Sequence, residues 1–243
     1  MIKIENLSKN FGELAAVNAL SLEIPQGECF AFLGPNGAGK TTTIKLLTGL
    51  LKPTGGTAYI CGYDVQKDYI QAKELISYIP DFPFLYDKLS GREFLEFVGG
   101  LYPEKNSAAR RSMMNDLLRR FNLERQQHYL IEHYSHGMRQ KLVFAAALLH
   151  EPRVMIIDEP MVGLDPYSSR LVKDILRQKA ESGVTIFLST HTLSVAEEVA
   201  DRIGIIDKGK LVAIGTLNQL RESSGIQGKL EDIFLRITEE ETV

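Results

Sequence analysis

CFAFLGPNGAGKTT, Cys29–Thr42, is the stretch on which the rest of the chain is read. Its first five residues form a short, wholly apolar run, the pattern of a strand buried on both faces of a parallel sheet. The next nine fit G-x-x-x-x-G-K-[ST], with Gly34, Gly39, Lys40 and Thr41 at the fixed positions. Glycines let a backbone curl so that several N–H groups point inward at phosphate oxygens. A helix opening at about Lys40 adds the positive end of its dipole. Lys40 then neutralises the β- and γ-phosphates, and the Thr41 hydroxyl ligates Mg²⁺. The expected ligand is therefore a nucleoside triphosphate with its metal.

A second stretch, RVMIIDEP (Arg153–Pro160), is another apolar run, here ending in acids. Asp158 falls at the carboxyl edge of the predicted strand, beside the phosphate loop, where it holds Mg²⁺ through water. Glu159 follows directly and is the candidate general base for an attacking water. Two solvated acids at a strand end are common; it is the neighbouring phosphate loop that gives these a chemical meaning.

Working outward, further apolar runs are read as strands at Ser77–Ile79, Val154–Ile157 and Val184–Ser189, with helices over Lys40–Leu51, Ser107–Phe121, Gly137–His150 and Tyr167–Ser182. This alternation predicts an α/β fold with a mainly parallel sheet. Residues 1–24 alternate apolar and polar side chains and suggest a small antiparallel β layer. Residues 82–151 read as almost wholly helical, an inserted helical subdomain. RIGIIDKGKLVAIG has the form of a hairpin turning at Asp207–Lys210. In the tail, Leu230, Ile233, Phe234 and Ile237 share one helical face, expected to dock on the chain's own domain. The division expected is a nucleotide-binding core at about 1–81 and 152–215, the helical insertion at 82–151 and a helical tail at 216–243.

Composition narrows the function classes. The 243 residues are 44% hydrophobic and 24% charged, with a formal net charge of −3. Nothing in that balance pulls the molecule towards nucleic acid. Cys29 and Cys61 are far apart and have no metal-ligand spacing, so they are expected to be reduced thiols. His133 and His136 stand three apart without further ligands around them. No secretory signal is read at the start, and the longest apolar run, LVFAAALL, is far short of the ~18–20 residues that cross a bilayer. Any membrane role would come through a partner.

Between the two motifs lies YSHGMRQKLVFAAALL, after them come GLDP (Gly163–Pro166) and a histidine, His191, ending VTIFLSTH. In this order the motifs resemble the ATP-binding domains of ABC transporters, with phosphate loop, signature helix, acid-ended strand, D-loop and switch histidine. The resemblance implies a P-loop NTPase core and ATP hydrolysis. It implies that Phe11 stacks on adenine, with Val17 touching the same base or its ribose. Asn36, Gly37, Ala38, Gly39, Lys40, Thr41 and Thr42 wrap the phosphates. Ser135 and the backbone of Gly137 contact the γ-phosphate of ATP held by a second subunit, in a head-to-tail homodimer or heterodimer. Asp165 bridges that interface, and His191 contacts the γ-phosphate while helping to position Glu159 and water.

The chain departs from the family in two places. Asp81 stands where the Q-loop glutamine is usual, and reaches Mg²⁺ through a water. Tyr134, His136 and Met138 replace Leu, Gly and Gln of the common signature, while Ser135 and Gly137 remain. The partner implied is a transmembrane permease, with the chain peripheral on the cytoplasmic face of the membrane, and the tail resembles exporter-type ATPases with separate permeases. The alternative is a soluble, non-transport ABC ATPase acting on nucleic acid or ribosomes. The interval from Lys40 to Ser135 has no room for the long coiled coil of repair ATPases. The aromatic run Phe82, Phe84, Tyr86, Phe94, Phe97 and Tyr102 is expected to hold the permease-docking surface, with Phe94 and Phe97 turned inward.

Overall fold

Two sheets and the helix caught between them set the geometry of the molecule, and the computed structural model describes residues 1–82, 84–102, 107–226 and 228–239. The chain begins with β1 (Ile2–Phe11) and β2 (Leu14–Ile24), an antiparallel pair, then β3 (Cys29–Leu33) and α1 (Lys40–Leu47). Next come β4 (Gly55–Ile60), β5 (Tyr63–Asp64), α2 (Tyr69–Leu75) and β6 (Ile76–Ile79). A helical stretch follows with α3 (Gly91–Gly100), α4 (Ser107–Arg120) and α5 (His136–Leu148). The core resumes with β7 (Val154–Asp158), α6 (Pro166–Glu181), β8 (Thr185–Thr190), α7 (Leu193–Val199), β9 (Arg202–Asp207) and β10 (Lys210–Gly215), and the tail carries α8 (Leu217–Ser224) and α9 (Leu230–Glu239).

The first sheet is antiparallel, in the order β2-β1-β4-β5. The second has the order β10-β9-β3-β8-β7-β6 and is parallel except for the β9–β10 hairpin. Its three central strands are buried along their whole length, which explains their unbroken apolar runs. Side chains alternate across the sheet. On β3, Phe30 and Phe32 join Ile44, Leu46 and Leu47 of α1 and the apolar face of the first sheet. Ala31 and Leu33 point the other way, against α7 and the tail. The α/β expectation therefore holds, with the antiparallel layer at the amino end.

Local chemistry explains the boundaries. Helix α1 stops at Leu47 rather than Leu51 because Gly49 takes a left-handed conformation (φ 69°) just past the helix end. The hairpin turns through Lys208 and Gly209, both at positive φ, as a two-residue turn matched to strand twist requires. That turn also serves the site: the Gly209 N–H donates to Ala38 O, and Gly209 O accepts from the Asn18 N–H. Leu230 and Ile233 of α9 are fully buried beside Ile203 and Ile205, with Phe234 and Ile237 packed at the edge. The tail docks on its own domain.

In the helical stretch, α3 is opened by a reciprocal cap between Ser90 and Glu93, and α5 by the Ser135 hydroxyl accepting from the Met138 N–H. Phe94 turns inward as expected, but Phe97 is 44% exposed. Positions three apart on a helix differ by about 60° in direction, enough to carry one out of a narrow apolar stripe. The Cys29 thiol is pushed up to about 12, chiefly by burial, which leaves it an unreactive core residue.

Candidate active site

The phosphate loop runs from the end of β3 into α1. Gly39 enters the helix at φ 110°, and a side chain there would run into the Ala16 carbonyl, so only glycine fits. Having no side chain, it cannot cap α1, and the first-turn N–H groups open onto the cleft in front of them. Lys40 is bent back into the loop, donating to Gly34 O at 2.7 Å and Pro35 O at 3.1 Å. Burial pulls its pKa below the usual lysine range, against the opposing pull of Glu159 and Asp158. These two carbonyls hold the ammonium inside the loop.

Strands β7 and β8 end side by side and bring the acids to the same cleft. The Thr41 hydroxyl donates to Asp158 Oδ2 at 3.0 Å, and Ser189 donates to the other carboxylate oxygen. Burial pushes the Asp158 carboxyl above its ordinary range; the bonds from Ser189 and Thr41 pull it back, while Asp81 and Glu159 add to the rise. A buried carboxylate bonded to a threonine hydroxyl, facing further acids, fits a hard divalent cation such as Mg²⁺. Among the described residues no three acids, histidines or cysteines cluster as a closed metal cage. Mg²⁺ characteristically takes few protein oxygens and completes its shell with phosphate and water.

Glu159 sits at φ 50°, in the left-handed region that a glutamate rarely adopts. Four contacts hold it there. Its N–H donates to Ser189 O, Oε2 accepts from the Thr190 hydroxyl at 3.1 Å, and Oε1 accepts from the His191 N–H at 2.9 Å and from His191 Nδ1 at 2.6 Å. A carboxylate only accepts, so Nδ1 carries the proton.

One cleft of about 590 Å³ gathers Phe11, Asn36, Gly37, Gly39, Lys40, Thr41, Thr42, Asp81, Asp158, Glu159 and His191. Four other sequence candidates lie elsewhere. Val17 is fully buried in the core and cannot touch a base; its neighbour Ala16 lines the cleft instead. Adjacent residues of a strand face opposite ways, and β2 turns 16 rather than 17 outward. Ala38 packs its methyl inward, and its N–H is taken by Pro35 O. Ser135 and Gly137 lie at the start of α5, and Ser135 is exposed there.

Phe11 is half exposed at the rim, with Lys9 Nζ 5.2 Å from its ring centre. Asp165 caps α6, accepting from the Ser168 N–H at 3.0 Å. Asp81 Oδ1 accepts from the Phe82 N–H. Sequence reasoning passed over Leu14, Phe82 and Val162 as cleft residues, and Ser189 and Thr190 as the groups that fix the acids. Ser189 was legible only as the end of a strand, and Thr190 lay just beyond it.

Comparison with known proteins identifies the family. The family model described as ABC transporter matches residues 17–162. The linearmycin resistance ATP-binding protein LnrL of Bacillus subtilis (strain 168) is 36% identical over 90% of this chain and 70% of its own length. A solved structure described as an ATP binding subunit of an ABC transporter superposes with a TM-score of 0.93 at 33% identity, covering 98% of this chain and 99% of that one. A dimeric ATP-binding cassette in a post-hydrolysis state, bound to ADP and Pi, gives 0.80 at 26% identity, covering 89% and 99%. With the family model spanning more than half of the sequence and the fold matching almost end to end, the chain belongs to the ABC transporter family and is one of its ATP-binding, ATP-hydrolysing subunits.

Proposed function

We propose that the chain pairs head to tail with a second ATPase subunit, closes on two ATP molecules, and so powers export through a separate permease. The observation that carries this reading is the clamped Glu159. Its carboxylate stands at the mouth of the cleft that holds Lys40, Thr41 and Asp158, oriented by donors from Thr190 and His191. In that position it takes a proton from an attacking water, and His191 steadies the carboxylate and reaches towards the γ-phosphate. Thr41 and Asp158, with Asp81 through water, would hold Mg²⁺, which when bound shields the phosphate charge. Lys40 leaves its loop carbonyls for the β- and γ-phosphates, and Phe11 stacks on the adenine at the rim.

The shared site is supported by the placement of Ser135, exposed at the free end of α5 rather than beside its own phosphate loop. A helix N-terminus suits a phosphate brought by another subunit, and the solved cassette bound to ADP and Pi is itself a dimer. Export is supported by LnrL, a protein named for resistance. Among the described residues no helix is long and apolar enough to cross a membrane. In this reading a separate permease supplies the pathway and this chain sits on its cytoplasmic face.

The docking surface is an aromatic ridge. Phe82, Phe84 and Tyr86 stand exposed, Phe84 to 84%, and Phe97 packs edge-on against Tyr86 at 5.3 Å between ring centres. The connected exposed aromatics Phe84, Tyr86 and Phe97 are the kind of patch that marks a protein contact. Phe82 lines the cleft itself and packs beside His136.

Light scattering with ATP and Mg²⁺ tests the reading: Glu159→Gln should trap a dimer that wild type forms only transiently. Mixing inactive Lys40→Ala with inactive Ser135→Arg should restore part of the activity through one intact composite site. A Glu159→Gln chain that stays monomeric and hydrolyses normally would sink the proposal.

A further inference from the structure

The phosphate loop is braced by two segments far from it in sequence. Strand β9 runs parallel to β3, and their pairing ends at Leu33 and Ile205. It then continues through Ile206 and Asp207, so the turn at Lys208 and Gly209 reaches past the end of β3 to the loop. Strand β2 approaches the loop as well. A side chain at Gly39 would strike the Ala16 carbonyl, and one at Gly34 would strike Ile206.

Gly209 ties the three segments together. Its N–H donates to Ala38 O at 2.9 Å, and its own carbonyl accepts from the Asn18 N–H at 2.8 Å. A Cβ at this position would stand 3.0 Å from Ala16 O and 3.1 Å from Ala15 O. Turn chemistry accounts for the φ of 79° at Gly209, but it does not call for a bond to Ala38.

That bond has a directional consequence. Ala38 O and the Gly39 N–H belong to one peptide unit, and no cis peptide occurs among the described residues. In a planar trans peptide the C=O and N–H point in opposite directions. Holding the carbonyl against Gly209 therefore turns the Gly39 N–H away from the hairpin. Gly39 lines the nucleotide cleft, and its N–H donates to no acceptor among the described residues. Having no Cβ, Gly39 does little by itself to oppose rotation of this peptide. A rotated peptide would present a carbonyl oxygen to the phosphates where a donor is needed.

We infer that Gly209 is a positioning residue for ATP: by gripping Ala38 O it keeps the Gly39 N–H aimed at the phosphates. This role requires ATP binding but not the head-to-tail pairing proposed above.

The full chain and Mg·ADP, which carries phosphates and is not turned over, provide the test. In wild type the Gly39 amide proton should move downfield on adding ADP. The Gly209 amide should exchange with solvent about tenfold more slowly once ADP is bound, because ligand and grip favour the same peptide orientation. Gly209→Ala forces the turn back from Ala15 and Ala16. It should weaken ADP about tenfold, roughly the worth of one hydrogen bond. It should also raise the KM for ATP with little change in kcat, and shrink the Gly39 shift. Gly62→Ala is the control, since Gly62 has φ 88° and nothing within 4 Å of an added Cβ. It carries the backbone strain without the displacement and should bind ADP as wild type does. Equal affinity in the two variants overturns the role, and so does a full Gly39 shift in Gly209→Ala. If Gly209→Ala does not melt cooperatively, the wild-type exchange decides: a Gly209 amide that ADP does not slow overturns the grip.

Discussion

His191 Nδ1 lies 2.6 Å from Glu159 Oε1, and the same carboxylate oxygen also accepts the His191 backbone N–H. One residue at the end of β8 thus holds the catalytic candidate at the end of β7 through two bonds. Exposure separates the partners: the histidine side chain is 61% exposed and the glutamate 14%. The ring is the part a nucleotide can reach, and the carboxylate is the part kept still.

This pairing predicts different kinetic signatures for its members. Glu159→Gln should lower kcat by about 10²–10⁴-fold while ATP still binds, because only the base is lost. Thr190→Val removes one donor from the carboxylate and should lower kcat with little change in KM. Equal loss in KM and kcat for Thr190→Val would place Thr190 in binding rather than in positioning.

Lys40 predicts a thermal signature. Saturation at 100 times Kd stabilises a protein by about 2.7 kcal/mol, which for this chain length corresponds to roughly 5–10 °C in Tm. Lys40→Met keeps the stem but has no charge for the phosphates. It should show almost none of the ATP-induced rise in a melting scan. A full rise in the variant would remove Lys40 from phosphate binding.

Asp158 predicts a trade of function for stability. Its folded-state pKa is raised, so the folded protein holds that proton more tightly than the unfolded chain. Stability therefore falls as pH rises out of the carboxylate range, and the ionised group is a cost at neutrality. Asp158→Asn should melt a few degrees higher than wild type at pH 7, lose that advantage below about pH 4, and hydrolyse no ATP. A lower melting point at pH 7 would contradict the assignment.

Asp165 runs the other way. Hydrogen bonds from the Ser168 hydroxyl and N–H, and then Lys141, hold its carboxyl down at about 2. A depressed carboxyl contributes stability above its unfolded value and loses it as pH falls through the folded one. Asp165→Ala should melt lower than wild type at pH 7, and the gap should close between about pH 4 and pH 2. A gap independent of pH would show that the charged cap is not what matters.

The outward turn of Ala16 in place of Val17 and the exposure of Phe97 share one cause. Each depends on which face a residue presents once distant segments have packed. A period-2 or period-3.6 pattern names the faces but does not say which one meets a cleft. Phe94 and Phe97 carry the same side chain and differ only in angle about α3.

What the sequence determined alone is contiguous along the chain. GPNGAGKTT encodes a turn, a set of amide donors and a cation within nine residues, and RVMIIDEP delivers two acids at the end of a buried strand. Local backbone geometry is enough to make both legible. The tertiary structure decided what needs two distant segments at once. Thr190 and His191 become the clamp on Glu159 only when β8 pairs with β7, and His150 reaches the Ile76 carbonyl only when α5 packs on β6. Hydrogen bonds act over about 3 Å, and sequence spacing fixes no such distance between residues dozens of positions apart.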